Sequence, residues 1–153
     1  GEVVSLESKN IFMHNNTMLV QGKGEKERLV PFGEETKRYI NRYSHMRNEY
    51  EKRFFQKEDG TPITDNTIKM YFQDLKESTG IIRLHPHLLR HTFATNYILY
   101  GGDVEELRIL LGHTSLQMTM KYVHLATQQR ILNQRYHSHI DKLFCQYDNK
   151  LAQ

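Results

Sequence analysis

The chain has 153 residues, 38% hydrophobic and 25% charged, which suits one folded domain with a core of its own. No apolar run approaches the roughly 18 to 20 residues of a membrane span, and the opening Gly1-Glu2-Val3-Val4-Ser5-Leu6, with its early acid, is expected not to be a secretory leader. The formal charge of +3 permits nucleic-acid binding without demanding it, and the lone Cys145 cannot close an internal disulfide, which fits a reducing compartment.

In chain order, Ile11-Phe12-Met13 and Met18-Leu19-Val20 are short apolar runs separated by the turn formers His14-Asn15-Asn16. A third run, Arg28-Leu29-Val30-Pro31-Phe32, follows the Gly22-Lys23-Gly24 turn. Three short strands joined by tight turns predict a small antiparallel sheet over about 9–32. Its second hairpin presents Lys23 and Lys26 at or near the tip. Lys23, Lys26 and Arg28 gather positive charge there, and on composition alone the run reads first as a solvated hairpin tip.

From Glu34 the pattern turns helical, with Ile40, Tyr43, Arg47 and Tyr50 on one face. Gly60-Thr61-Pro62 interrupts it. Thr64 or Asp65 is placed to cap a second helix that carries Ile68, Tyr71, Phe72 and Leu75 and ends near Gly80. Pro86 is suited to start a third, with Leu89, Phe93 and Tyr97 directed inward. Gly101-Gly102 ends that helix. Asp103 caps a short one with Val104, Leu107 and Leu111 facing the core, closed by Gly112. A further helix is expected from about Ser115 to Tyr122, and a separate long one over about 125–151. The predicted fold is mainly α with a small antiparallel three-stranded β-sheet, in a single domain with a helical core over about 34–122.

Polar chemistry is densest between His85 and His124. His87 and Arg90 are three apart on one predicted helix and project from the same face. Leu111-Gly112-His113-Thr114-Ser115 follows, and Tyr122 stands nine positions after His113. His87 and His91 have the i, i+4 spacing of helical zinc pairs. However, the intervening Leu88-Leu89-Arg90 supplies no Glu base and sets a cation between the ligands, so a metal is not expected. Arg and His residues near a Tyr suit phosphoryl transfer to a phenol. A guanidinium fork matches the charged nonbridging oxygens. A free phenol, with a pKa of about 10, needs a proton acceptor or strong cations to act as a nucleophile, and an imidazole titrates where it can accept that proton. The leaving oxygen then needs an acid, which a hairpin Lys could supply.

These segments resemble one family closely. His85-Pro86-His87-Leu88-Leu89-Arg90-His91-Thr92-Phe93-Ala94-Thr95 is similar to the H-x-x-R segment of the tyrosine recombinases, or phage integrase family. Leu110-Leu111-Gly112-His113-Thr114-Ser115 resembles its L-G-H-S segment, and Thr119-Met120-Lys121-Tyr122-Val123-His124 its T-x-x-Y-x-H segment. Gly22-Lys23-Gly24-Glu25-Lys26-Glu27-Arg28 is similar to its G-K-G-x-K-x-R hairpin. The resemblance covers nearly the whole chain and implies the tyrosine recombinase catalytic-domain fold.

It also implies roles. Tyr122 would attack a DNA phosphodiester, forming a 3′-phosphotyrosyl link and freeing a 5′-hydroxyl. Arg90 would bind the nonbridging oxygens, His87 would accept a proton or ligate the phosphate, and His113 would hydrogen-bond the same phosphate. Lys23 would protonate the departing oxygen, with Lys26 as the competing candidate. Lys26, Arg28, His91 and Lys121 are expected to contact DNA. Neither a metal nor ATP nor any other cofactor is implied.

The family's first catalytic Arg belongs to an R-x-[GS]-E pattern, which would put it two residues before Gly1. The chain alone is therefore expected to be nearly inactive, and a separate DNA-clamping domain is expected N-terminal to it. Leu132, Tyr136, Ile140, Leu143, Phe144, Tyr147 and Leu151 form an apolar stripe at helical spacing. It would pack either on the chain's own core or on a neighbouring protomer, in a tetramer on synapsed double-stranded DNA. The setting implied is the cytoplasm of a bacterium, at the nucleoid, on a bacterial or phage-encoded protein that recombines or integrates DNA. Two other readings stand beside this one: a type IB topoisomerase, and a DNA-binding or assembly module that keeps the motifs without cutting.

Overall fold

A computed structural model describes residues 1–22, 24 and 26–134 of the chain. Lys23, the expected acid, and the apolar stripe from Tyr136 onward lie outside the described residues. Among the described residues, no helix is long and apolar enough to cross a membrane. The chain divides into two compact units: Gly1–Leu89 with Ile109–Gly112, and Arg90–Arg108 with the segment from His113.

The first unit opens with a one-turn helix α1, Glu2–Ser5, absent from the sequence expectation, and continues into the strands β1 (Ile11–Phe12), β2 (Thr17–Gln21) and β3 (Glu27–Pro31). They pair antiparallel in the order β1-β2-β3, with Ile11 opposite Met18 and Val20 opposite Arg28. The expected sheet is present, and the backbone N–H of Gly22 donates to Lys26 O at 2.8 Å to close its second hairpin.

Helix α2, Glu34–Ser44, buries Ile40, which joins Leu6 and Phe54 at the centre of this unit's core, with Met18, Phe32 and Tyr43 packed around them. The helix is shorter than its periodicity suggests. Arg47 and Tyr50 leave the inward face: Tyr50 is exposed, and the Arg47 guanidinium turns back to donate to the carbonyls of Glu51, Arg53 and Phe54.

Helix α3, Asp65–Thr79, begins at Thr64, whose hydroxyl accepts from Thr67 N while the Thr67 hydroxyl accepts from Thr64 N. This reciprocal pair fixes the start, and Gly80 ends the helix in the left-handed conformation.

Helix α4, Pro86–Leu99, starts where Pro86 predicts, with His85 Nδ1 accepting from Leu88 N at 3.1 Å. Its inward face differs from the expected one. Ala94, Thr95 and Ile98 are buried, whereas Leu89 and Phe93 are more than half exposed. The covered stripe therefore combines two small residues with one large aliphatic one, and the bulkier Leu89 and Phe93 lie on the uncovered side.

In α5, Val104–Leu111, Leu107 and Leu111 are buried as expected, and Asp103 Oδ1 caps the helix by accepting from Glu105 N and Glu106 N. Helix α6, Gln117–Gln134, corrects a second expectation. It runs unbroken past Tyr122, where a break before a separate C-terminal helix was anticipated. No Gly or Pro interrupts residues 117–134, so nothing in the backbone asks for a stop.

Candidate active site

Helix α6 turns one stripe inward: Thr119, Tyr122 and Ala126, at i, i+3 and i+7, with exposures of 0%, 1% and 0%. The flanking Thr and Ala are small, and the Tyr122 ring lies in the protein rather than on it. Its hydroxyl shares a hydrogen bond of 2.8 Å with His91 Nδ1, and the two rings are 5.6 Å apart. On the other side the His113 ring stacks nearly parallel to it, at 9° and 6.4 Å between centroids. The Lys121 ammonium stands 4.9 Å from the ring centroid, a cation–π arrangement.

His113 is fixed at both ends. Its Nδ1 shares a 2.9 Å hydrogen bond with the Thr119 hydroxyl, one turn before Tyr122 on α6. Its backbone N–H donates to Arg108 O, and its carbonyl accepts from the Arg108 guanidinium at 2.9 Å. That guanidinium is itself held by Glu105. The imidazole is therefore oriented by a hydroxyl and the backbone by a salt-bridged Arg, the kind of support that sets a ring's direction and tautomer. Arg130 reaches back from α6 to cap α4, donating to Ile98 O and Leu99 O at 2.5 and 2.8 Å, a favourable place for a cation.

The second unit thus brings together Tyr122, His113, Lys121 and His91 of the residues singled out in the sequence. Arg90 also belongs to it and is half-buried. Two residues have partners that the sequence did not anticipate. His91, expected at the DNA, has its Nδ1 on the Tyr122 hydroxyl. Thr119, read only as a motif letter, is the partner of His113. The i, i+3, i+7 spacing of Thr119, Tyr122 and Ala126 was a usable signal for the buried phenol, but no local pattern announced the partnership of His91 with a tyrosine 31 residues away.

Arg28, His87 and Lys26 belong to the first unit. Arg28, expected at the DNA, is turned inward. Nη1 and Nη2 donate to the two Glu2 carboxylate oxygens at 2.8 Å each, Nε donates to Leu110 O at 2.7 Å, and the side chain is 13% exposed. This fork-on-fork arrangement joins α1, β3 and the end of α5. It explains Gly112 as well: the residue has φ +67, and an added Cβ would come within 3.1 Å of Arg28 Nη1. A left-handed turn favours glycine, and a Cβ there would also press on the guanidinium. His87 is exposed near the start of α4, its ring edge-on to His85 at 6.3 Å. The Lys26 side chain is exposed at the hairpin. Among the described residues, no three His, Cys, Asp or Glu side chains are grouped so as to hold a metal ion.

Comparison with known proteins identifies the family. Residues 1–129 match the phage integrase family. The tyrosine recombinase XerC of Staphylococcus haemolyticus is 35% identical over 134 residues, which cover 84% of this chain and 45% of that protein. Among solved structures, the XerA recombinase superposes with a TM-score of 0.75 at 29% identity, covering 88% of this chain and 52% of that one. The XerH recombinase bound to a palindromic difH substrate shares the fold at a TM-score of 0.71 and 22% identity, over 92% of this chain and 41% of that one. The chain spans about half the length of these relatives. With the family matched over most of its residues and the fold shared, this chain belongs to the phage integrase family, the tyrosine recombinases.

Proposed function

We propose that this chain is the catalytic part of a site-specific DNA recombinase or integrase that cuts and rejoins strands through Tyr122. The observation that carries the reading is a phenol placed between two imidazoles, His91 on its oxygen and His113 on its face, inside three family motifs. In the reaction, the Tyr122 O–H bond breaks and its proton passes to an imidazole, for which His87 is the family-matched acceptor. A bond forms between the phenolic oxygen and phosphorus, the bond from phosphorus to the 5′ oxygen breaks, and Lys23 protonates that oxygen, with Lys26 as the alternative donor. Arg90 and His113 hold the nonbridging oxygens, where charge accumulates. The phosphotyrosyl link conserves the energy of the bond it replaces, so rejoining consumes neither ATP nor a metal.

The partner is double-stranded DNA, supported by the DNA-bound state of XerH. Lys26 and Lys121 would each meet its backbone, a reading supported by the exposure of both side chains. The apolar stripe that begins at Leu132, which is 57% exposed, joins neighbouring protomers in a tetramer on synapsed DNA. The bacterial origin of the relatives supports a place in the bacterial cytoplasm, at the chromosome or a mobile element.

The test is covalent capture. Incubated with a nicked suicide substrate, the protein in its full natural length gives an adduct that survives a denaturing gel, and Tyr122→Phe gives none. An adduct of undiminished yield from Tyr122→Phe would overturn the assignment.

A further inference from the structure

Tyr122 is buried to 1% exposure, yet a nucleophile must reach a phosphate. Its oxygen faces His91 Nδ1 at 2.8 Å. The ring is drawn inward by its place on the stripe between Thr119 and Ala126, both fully buried. In either protonation state the His91–Tyr122 bond persists: a bare Nδ1 accepts the phenolic proton, and a protonated one donates to the phenolic oxygen. Beside His91 lies a cavity of about 200 Å³, lined also by Thr92, Thr95, Asn96, Leu125 and Gln129. That space adjoins the imidazole, so the side of the contact away from the phenol is not filled by packed side chains.

We propose that His91 is a positioning residue that latches the Tyr122 phenol in a withdrawn, resting position, released when the site engages its substrate. The juxtaposition of the His91 ring, the Tyr122 hydroxyl and the adjoining cavity carries it. Breaking the contact without a replacement leaves a buried hydroxyl unsatisfied, which is costly. The resting arrangement is therefore favoured until a phosphate and its ligands offer the oxygen a better partner. Release is a population shift driven by that difference. The meaning of the latch rests on reading Tyr122 as the nucleophile, but its test does not.

The test is nitration of the DNA-free protein by tetranitromethane, with the rate at each tyrosine read by peptide mass spectrometry. In His91→Phe, which keeps the ring volume and removes the polar atom, the rate at Tyr122 rises about tenfold. In His91→Asn, whose amide oxygen stands near the place of Nδ1, it stays within about twofold of the parent. Tyr43, packed in the other unit's core, is the internal control and keeps its rate. An unchanged Tyr122 rate in His91→Phe overturns the latch. So does an equal rise at Tyr43, which would mean general loosening, or a rise in His91→Asn as large as in His91→Phe, which would mean packing alone. Failure of covalent capture on DNA would remove the nucleophile assignment and leave these rates unaffected, so the two readings fail separately.

Discussion

Each unit of the molecule has a polar cluster, and the two are built in opposite ways. In the first, the Arg28 guanidinium meets a carboxylate and a backbone carbonyl, with every one of its three nitrogens engaged. In the second, Tyr122, His91, His113 and Thr119 form a chain of side chains that can be neutral, two of whose links depend on an imidazole tautomer. The Arg28 side chain is 13% exposed and that of Glu2 36%, so solvent screens the carboxylate in part, but the guanidinium is held by paired charge-assisted hydrogen bonds and leaves a carbonyl without its donor if removed. A phenol on an imidazole is bound only by a modest net hydrogen bond. The first cluster suits a fixed joint, the second a part that has to move. Both lie in motifs of the same family, so motif membership alone does not separate structure from chemistry.

The comparison breaks most readily at Arg28. Arg28→Met should lower unfolding stability by about 2–4 kcal/mol, since Glu2 and the Leu110 carbonyl lose their donor; chemical denaturation measures it. Adding Glu2→Gln to that variant should recover part of the loss, and no recovery would mean the pair is not the joint described. Gly112→Ala should cost about 1–3 kcal/mol, by forcing a side chain into the left-handed region and toward Arg28; a thermal melt within a degree of the parent would contradict it.

Thr119→Val tests the second cluster. It keeps the shape and removes the partner of His113, with an expected loss of about 1 kcal/mol and a change in the His113 ring resonances by NMR. Unaltered resonances would show that the hydroxyl does not orient the ring.

The smallest effect is at Tyr97, whose hydroxyl donates to Glu106 Oε2 at 2.7 Å. That hydrogen bond, then burial and the carboxylate charges of Glu106 and Asp103, raise the Tyr97 pKa. An acid whose pKa is raised on folding contributes stability below its unfolded value of about 10 and loses it as pH rises through the folded value. Tyr97→Phe should therefore flatten the decline of stability above about pH 10. A decline of the same steepness in both proteins would remove Tyr97 as its source.

Much of the fold was legible because it rests on local rules. The sheet followed from short apolar runs between turn formers. The starts of α3, α4 and α5 followed from Thr64, Pro86 and Asp103, since a cap acts within one turn of its helix. The inward face of α4 was misread. Periodicity offered Leu89 and Phe93, but the packed side is Ala94, Thr95 and Ile98, and which stripe is covered depends on what else is there to cover it. The end of α2 was misread for a more local reason: Arg47 found carbonyls 7 and 6 residues further on, in the loop that follows the helix.

Within the site, residue types and their order in the chain belong to the sequence: a hairpin with Lys23 and Lys26, then His87 and Arg90, then Gly112-His113, then Tyr122. Their chemistry was readable there because a guanidinium, an imidazole and a phenol carry it in the side chain itself. Partnership was not. Arg28 paired with Glu2 and not with solvent, and His91 went to the phenol, because each contact spans 26 or 31 residues and exists only once helices and strands have packed. The burial of Tyr122 belongs to that level as well, since exposure depends on which neighbours the folded chain brings over a residue.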